Sequence, residues 1–166
     1  MLSDIEAEEI ETPFVVAAYR LLLLTGCRLG EIQQLRWDFL TEFGIELPDS
    51  KTGARRIPLP PEARSILASL TRTLGNSWVI EGRLPGTHIT DLQRPWRRIR
   101  ERAGLEGVRI HDLRHTYASH AVCSGMPIQM VGRLLGHTQL QTTLPGSQAA
   151  ARCGGAALRG ARGGWL

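Results

Sequence analysis

The chain has 166 residues, of which 42% are apolar and 22% charged, so it can form the core of one globular domain. Its net charge of +4 combines −5 over residues 1–11, +6 over residues 12–143 and +3 over residues 144–166, and the basic middle favours a polyanionic partner. No membrane span is expected, because the early apolar run at residues 21–24 is short, and the acidic start lacks the basic region of a signal peptide, which indicates a cytoplasmic protein.

The first half of the chain predicts helices followed by a hairpin. Ser3 and Glu6 match a capping box that opens a first helical region. Pro13 is expected to open a helix with an apolar face, which Thr25-Gly26 ends. Residues 28–37 are expected to form a second short helix. Residues 39–47 and 55–59 have β character and flank a turn-rich stretch, which predicts a hairpin.

The second half predicts four further helices. Pro60-Pro61 should start one that closes near Gly75. Residues 112–124 and 127–135 should form two more, broken at Gly125-Met126-Pro127. Before these two, residues 91–103 should form a basic helix that is rich in arginine: Arg94, Arg97, Arg98, Arg100 and Arg102.

These elements predict a mainly α fold with a small antiparallel β-sheet, of the α+β class. Residues 1–143 would form the folded domain. Residues 144–166 are rich in Gly, Ala and Arg and contain no acid. Such a composition buries too little apolar surface to offset its ordering entropy, so we expect a disordered tail.

Four short clusters hold groups that can bind a phosphate or transfer a proton: Arg28 with Glu31, Lys51, His111 with Arg114, and His137. A guanidinium can hold two phosphate oxygens, and an imidazole can move a proton near neutral pH. Lys51 is the only lysine of the chain. Each cluster by itself is better explained as solvated charge or as an ordinary helix end, so only their order and spacing together indicate a site.

The stretches that carry those residues are TGCRLGEIQQLRW at 25–37, KTGARRIPLP at 51–60, HDLRHTYASH at 111–120 and LLGHTQLQTT at 134–143. In this order they resemble the catalytic domain of the tyrosine recombinases, the phage integrase family of site-specific DNA recombinases. The resemblance covers residues 3–143. It implies the fold of that domain, double-stranded DNA as partner, and strand cleavage through a 3′-phosphotyrosine with no metal or other cofactor.

The resemblance implies roles for the basic residues. Arg28 and Arg114 correspond to the two arginines that bind the scissile phosphate, and Glu31 to the acidic residue that supports the first of them. Two fixed guanidinium groups would stabilise charge on the non-bridging oxygens without reorganisation. The basic helix at residues 91–103 is expected to contact DNA.

Three further positions correspond to residues that handle protons or the phosphate. Lys51 corresponds to the hairpin lysine that protonates the leaving 5′-hydroxyl. His111 corresponds to the histidine that handles the proton of the nucleophile. His137 corresponds to the histidine that hydrogen-bonds the phosphate.

The sequence departs from the family at the nucleophile. Family members attack with a tyrosine nine positions after the last histidine, and here that position is Gly146. The tyrosines of this chain, Tyr19 and Tyr117, are both expected in the core. We therefore expect DNA binding without cleavage in cis, with an intact recombinase protomer as a second candidate partner.

A frameshift after Thr143 is the simplest explanation of that departure. The chain also begins at the catalytic domain, so the family's N-terminal DNA-binding domain is expected to be missing. The same holds for the C-terminal helix through which family protomers dock on one another.

Two other interpretations stay open. Residues 118–143 resemble a helix-turn-helix, which would make the chain a DNA-binding module without catalysis, but that leaves Arg28 and Lys51 unexplained. The other is a metal site that uses four side chains: His111, His115, His120 and Cys123. Only pairs of these share a helix face and no HExxH is present, so no metal is expected.

Overall fold

The structure, a computed structural model, describes residues 11–48 and 53–136. The helices in these ranges are α1 (Pro13–Thr25), α2 (Leu29–Gln33), α3 (Pro61–Ser69), α4 (Gln93–Arg102), α5 (Ile110–Cys123) and α6 (Ile128–Leu135). The strands are β1 (Leu40–Thr41), β2 (Gly44–Leu47) and β3 (Arg55–Ile57), which pair in that order in one antiparallel sheet. The predicted α+β class is therefore confirmed.

Helix α1 lies at the centre of the domain and packs against α2, α3 and α5. It begins at Pro13, whose fixed φ suits a first helical position. It ends at Gly26, which adopts the left-handed conformation with φ 63°. Both predicted ends are confirmed. The residues of α1 from Val15 to Leu22 are mostly buried, which makes this helix the main wall of the core.

The prediction of one helix over residues 28–37 is wrong. Helix α2 stops at Gln33, and a 3-10 turn follows at Trp37–Phe39. The reason is a tertiary pairing: Val79 N–H donates to the carbonyl of Leu35 at 2.9 Å, and Trp37 N–H donates to the carbonyl of Ser77 at 3.0 Å. These bonds take the backbone out of the helical ladder, and Leu35 is fully buried.

The predicted strand over residues 39–47 is in fact two strands, because the chain turns at Glu42-Phe43 between β1 and β2. Gly44 permits the turn, since it has φ 138° and a Cβ there would lie 2.2 Å from the carbonyl oxygen of Ile57. The predicted hairpin of β2 with β3 is confirmed. Leu47 pairs with Arg55, which fixes where β3 begins.

The remaining helices lie close to their predicted positions, with one shorter than expected. Helix α3 ends at Ser69 and not near Gly75, because the buried Leu70 turns to extended backbone. Helix α4 starts after Asp91, whose Oδ1 accepts the N–H of Gln93 at 2.8 Å. Helices α5 and α6 enclose a small second apolar cluster, formed by Ala118, Val131 and Leu135. No helix in the described ranges is both long and apolar enough to cross a membrane.

Candidate functional site

Three of the predicted site residues meet at one cleft. Arg28, His111 and Arg114 line a hollow of about 420 Å³ between the start of α2 and the start of α5. Its remaining walls are Leu22, Cys27, Leu29, Gly30, Gln93 and Ile110. Two guanidinium groups and an imidazole therefore face a single space.

Arg28 is held in place by the helix that it precedes. Its backbone N–H donates to Glu31 Oε2 at 2.6 Å, and its Nη1 donates to Glu31 Oε1 at 3.0 Å. Its Nη2 donates to the carbonyl of Gly136 at 3.0 Å. The Arg28 side chain is 32% exposed, so it is oriented by protein contacts and still accessible from the cleft.

Arg114 is buried in the middle of the domain, only 5% exposed. Its Nη1 donates to the carbonyl of Gly26 at 2.5 Å, and its Nη2 donates to the carbonyl of Leu135. Burial, reinforced by the nearby positive charge of Arg28, lowers the pKa of Arg114 to about 10. The guanidinium is still protonated at neutral pH, as phosphate binding requires.

His111 lies in the first turn of α5, at the exposed mouth of the cleft. Its ring packs edge-on against His115, with centroids 4.8 Å apart. Partial burial, His115 and Arg114 lower the pKa of His111 below its usual value of 6.5. The imidazole is therefore neutral at pH 7 and able to accept a proton.

Arg55 belongs to this group of charges, and the sequence interpretation did not assign it. Its Nη2 donates to Glu31 Oε2 at 2.6 Å, and the two side chains are 8% and 12% exposed. The signal was present in the alternation of the strand. Arg55 shares the period-2 face of Ile57 and Leu59, which are both buried.

Several arginines of the basic helix α4 form ion pairs or hydrogen bonds with other residues of the domain. Arg98 Nη2 lies 2.6 Å from Oε1 of the buried Glu11. Arg94 pairs with Asp91 at 3.3 Å, and Arg100 Nη1 donates to the carbonyl of Val108 at 3.3 Å. Arg97 and Arg102 have exposed side chains. Arg97 follows the cleft residue Gln93 by one helical turn, so both lie on one face of the helix.

Neither tyrosine lies free at the surface. Tyr19 is buried, and its hydroxyl donates to the carbonyl of Leu92 at 2.6 Å. Tyr117 is half-buried, which raises the pKa of its hydroxyl, and its ring packs against Gly26. The other predicted site residues, Lys51 and His137, and the nucleophile position at Gly146 lie outside the described residues.

The open interpretations can be compared with the same geometry. Helices α5 and α6 have the short connection of a helix-turn-helix, but Arg114 of α5 joins them to the cleft through Leu135. Within residues 11–48 and 53–136, no three His, Cys, Asp or Glu side chains lie close enough together to hold a metal ion.

Comparison with known proteins agrees with this fold. The sequence model of the Phage integrase family matches residues 7–145. The chain is 30% identical over 142 residues to the integrase of Escherichia phage 186, covering 84% of this chain and 39% of that protein. It is 32% identical over 131 residues to the tyrosine recombinase XerA of Pyrococcus furiosus, covering 74% of this chain and 46% of that protein. The chain thus spans less than half the length of these relatives.

Solved structures show the same architecture. The crystal structure of XerA recombinase superposes with a TM-score of 0.73 at 23% identity, covering 94% of this chain and 60% of the other. The catalytic domain of bacteriophage HP1 integrase superposes with a TM-score of 0.65 at 23% identity, covering 87% of this chain and 80% of the other. The chain therefore belongs to the phage integrase family and has the fold of a tyrosine recombinase catalytic domain.

Proposed function

We propose that this chain binds duplex DNA and holds one backbone phosphate between Arg28 and Arg114. The observation that carries the proposal is the convergence of Arg28, His111 and Arg114 on one cleft. A guanidinium carries five N–H donors, more than the protein contacts described for either arginine. Two preorganised guanidinium groups suit a phosphodiester, whose charge is spread over its non-bridging oxygens.

The fold neighbours support DNA as the polyanion. A lambda integrase dimer bound to a COC′ core site superposes with a TM-score of 0.66 at 21% identity. XerH recombinase bound to its difH substrate superposes with a TM-score of 0.70 at 22% identity. The charge of +6 over residues 12–143 is of the sign that such a ligand requires.

The proton-handling roles are also proposed. His111 stands at the mouth of the cleft in its neutral form and would accept or return the proton of an attacking hydroxyl. By their places in the matching motifs, Lys51 would protonate the leaving 5′-hydroxyl and His137 would donate to the phosphate. Arg97 would contact a neighbouring phosphate from the adjacent helix face.

We infer further that the chain does not cleave DNA in cis. A 3′-phosphotyrosine needs a tyrosine at the position that Gly146 occupies. Tyr19 and Tyr117 are engaged in packing and do not replace it. An intact recombinase protomer would have to supply the nucleophile in trans.

A binding titration and a cleavage assay test both statements. Fluorescence anisotropy with a labelled duplex should show affinity that falls by roughly tenfold or more between about 50 and 200 mM salt, because bound phosphates release counterions. R28Q and R114Q should weaken binding, whereas R56Q, which changes an arginine 60% exposed and outside the cleft, should not. Base-specific binding that survives R28A and R114A would favour the helix-turn-helix interpretation.

The cleavage arm uses a suicide substrate that traps covalent intermediates. We expect no protein–DNA adduct from this chain alone. An adduct mapped to Tyr117 would contradict the inference. Addition of a recombinase with an intact tyrosine tests whether the cleft accepts a nucleophile in trans.

A further inference from the structure

The carboxylate of Glu31 is shared by two arginines from different parts of the fold. Its Oε1 accepts from Arg28 Nη1 at 3.0 Å. Its Oε2 accepts from the backbone N–H of Arg28 and from Arg55 Nη2, both at 2.6 Å. Arg28 precedes α2, and Arg55 opens β3, so one carboxylate joins the sheet to the residue that lines the cleft.

Among the described residues, those that line the cleft do not include Arg55. It borders a separate hollow of about 530 Å³ beside the sheet, together with Glu46, Pro48 and Arg56. The Arg28 side chain, by contrast, is accessible from the phosphate cleft and lines it. This geometry therefore does not bring Arg55 into direct contact with a phosphate held between Arg28 and Arg114.

The arrangement is costly for the fold. The Arg55 side chain is 8% exposed, and its Nε and Nη1 are buried with no hydrogen-bond partner among residues 11–48 and 53–136. Arg28 and Arg55 both bond to the one carboxylate of Glu31, and their positive charges, in addition to burial, lower the pKa of Arg114. A buried charge that is only partly paired adds little stability by itself, so packing alone does not account for an arginine at this position.

We propose that Arg55 is a positioning residue of the phosphate cleft. By holding Oε2 of Glu31, it fixes the rotation of the carboxylate and so directs Oε1 at Arg28 Nη1. The Arg28 guanidinium is then oriented before DNA arrives. This proposal rests on the proposed function, because its purpose is to present Arg28 to a phosphate.

The first test is a DNA-binding cycle on the whole chain. R55Q should weaken duplex binding by roughly tenfold, the scale of one oriented charge-assisted hydrogen bond, and R55K should give an intermediate value. In an R28Q background, R55Q should cause no further loss. The matched control is R56Q, which removes the adjacent arginine that pairs with Glu46 at the surface. This variant should bind DNA as the wild type does.

Two outcomes would overturn the proposal. If R55Q weakens binding equally in the R28Q background, Arg55 contacts DNA directly. If R55Q lowers the melting temperature but leaves the affinity of the folded protein unchanged, Arg55 only stabilises the fold.

The second test needs no DNA and so separates this proposal from the proposed function. ¹⁵N NMR of the arginine side chains, assigned with R28Q, should show restricted rotation of the Arg28 guanidinium in the wild type and in R56Q. The Arg28 guanidinium should rotate freely in R55Q and more freely than in the wild type in R55K. Because R55K keeps the positive charge, it also serves as the test variant if R55Q does not fold. An Arg28 signal unchanged in the folded variants would refute the proposal, whereas absence of DNA binding by the wild type would refute only the proposed function.

Discussion

The guanidinium of Arg114, within α5, donates to the carbonyl of Leu135, the last residue of α6. Arg28 donates to the next carbonyl, that of Gly136. The last turn of a helix leaves its carbonyls unpaired and carries partial negative charge, so two cations stabilise it there. The arginines that line the cleft thus also fix the end of α6.

Removal of the Arg114 guanidinium should therefore affect both the fold and the cleft. R114Q loses two buried hydrogen bonds from a charged group, so the free energy of unfolding should fall by about 2–4 kcal/mol. R114K keeps the charge but not the planar fork and should lie between. Urea unfolding followed by circular dichroism measures the change, and an R114Q variant as stable as the wild type would contradict these contacts.

Position 26 requires glycine because of its backbone conformation and because of the side chains that lie close to it. It has φ +63°, and a Cβ there would lie 2.4 Å from Cδ1 of the Tyr117 ring. G26A should therefore lower the free energy of unfolding by about 3 kcal/mol. Gly30 supplies the matched control, because no atom of the described residues outside its own helical turn lies within 4 Å of its Cβ position. G30A should leave the stability unchanged or raise it by up to about 1 kcal/mol, and equal destabilisation of both variants in thermal melts would refute this account.

Arg97 and Arg98 are adjacent in α4 but should differ in what they do. R98A leaves the carboxylate of Glu11, 5% exposed, without its partner, so we expect a loss of about 1 kcal/mol in the free energy of unfolding. R97A should change the stability by less than about 0.5 kcal/mol. It should instead lower the salt slope of DNA binding by about one counterion. The same effects with the two residues exchanged would contradict the assignment.

The titration of His111 should reflect its surroundings. Burial, His115 and Arg114 lower its pKa below the usual 6.5, and the nearby charge of Asp112 opposes them. Because the unfolded chain then binds the proton more readily than the folded one, His111 reduces stability as the pH falls from 6.5 through the folded pKa. NMR of the imidazole C–H should give a midpoint below 6.5, and H115Q should raise it. A wild-type midpoint at or above 6.5 would count against the described geometry.

Local signals predicted much of the fold. Pro13 and Gly26 mark the ends of α1, and Gly136 marks the end of α6, because each acts through its own backbone. Residues 35–37 could not be predicted in the same way. Their backbone pairs with residues 77–79, far along the chain, and no local pattern reports such a partner.

In the site, too, local contacts could be predicted from the sequence and contacts between distant segments could not. Arg28 and Glu31 lie one turn apart, so their pairing follows from helix geometry and is present in the structure. His111 and Arg114 are three residues apart, a spacing that puts two side chains on one face of a helix. The contacts of Arg55 with Glu31 and of Arg98 with Glu11 join distant segments. The alternation of β3 indicated that Arg55 points inward, but only the folded chain shows which carboxylate it meets.

The pairing of Leu47 with Arg55 determines what a change of length in the connection between β2 and β3 can affect. Both ends of the connection at residues 48–54 are fixed, one by the register of the sheet and the other by the bond of Arg55 to Glu31. An insertion or deletion in this connection would therefore leave Arg28 in place but shift Lys51, so it would alter the proposed proton transfer to the leaving 5′-hydroxyl without altering the arginines that hold the phosphate.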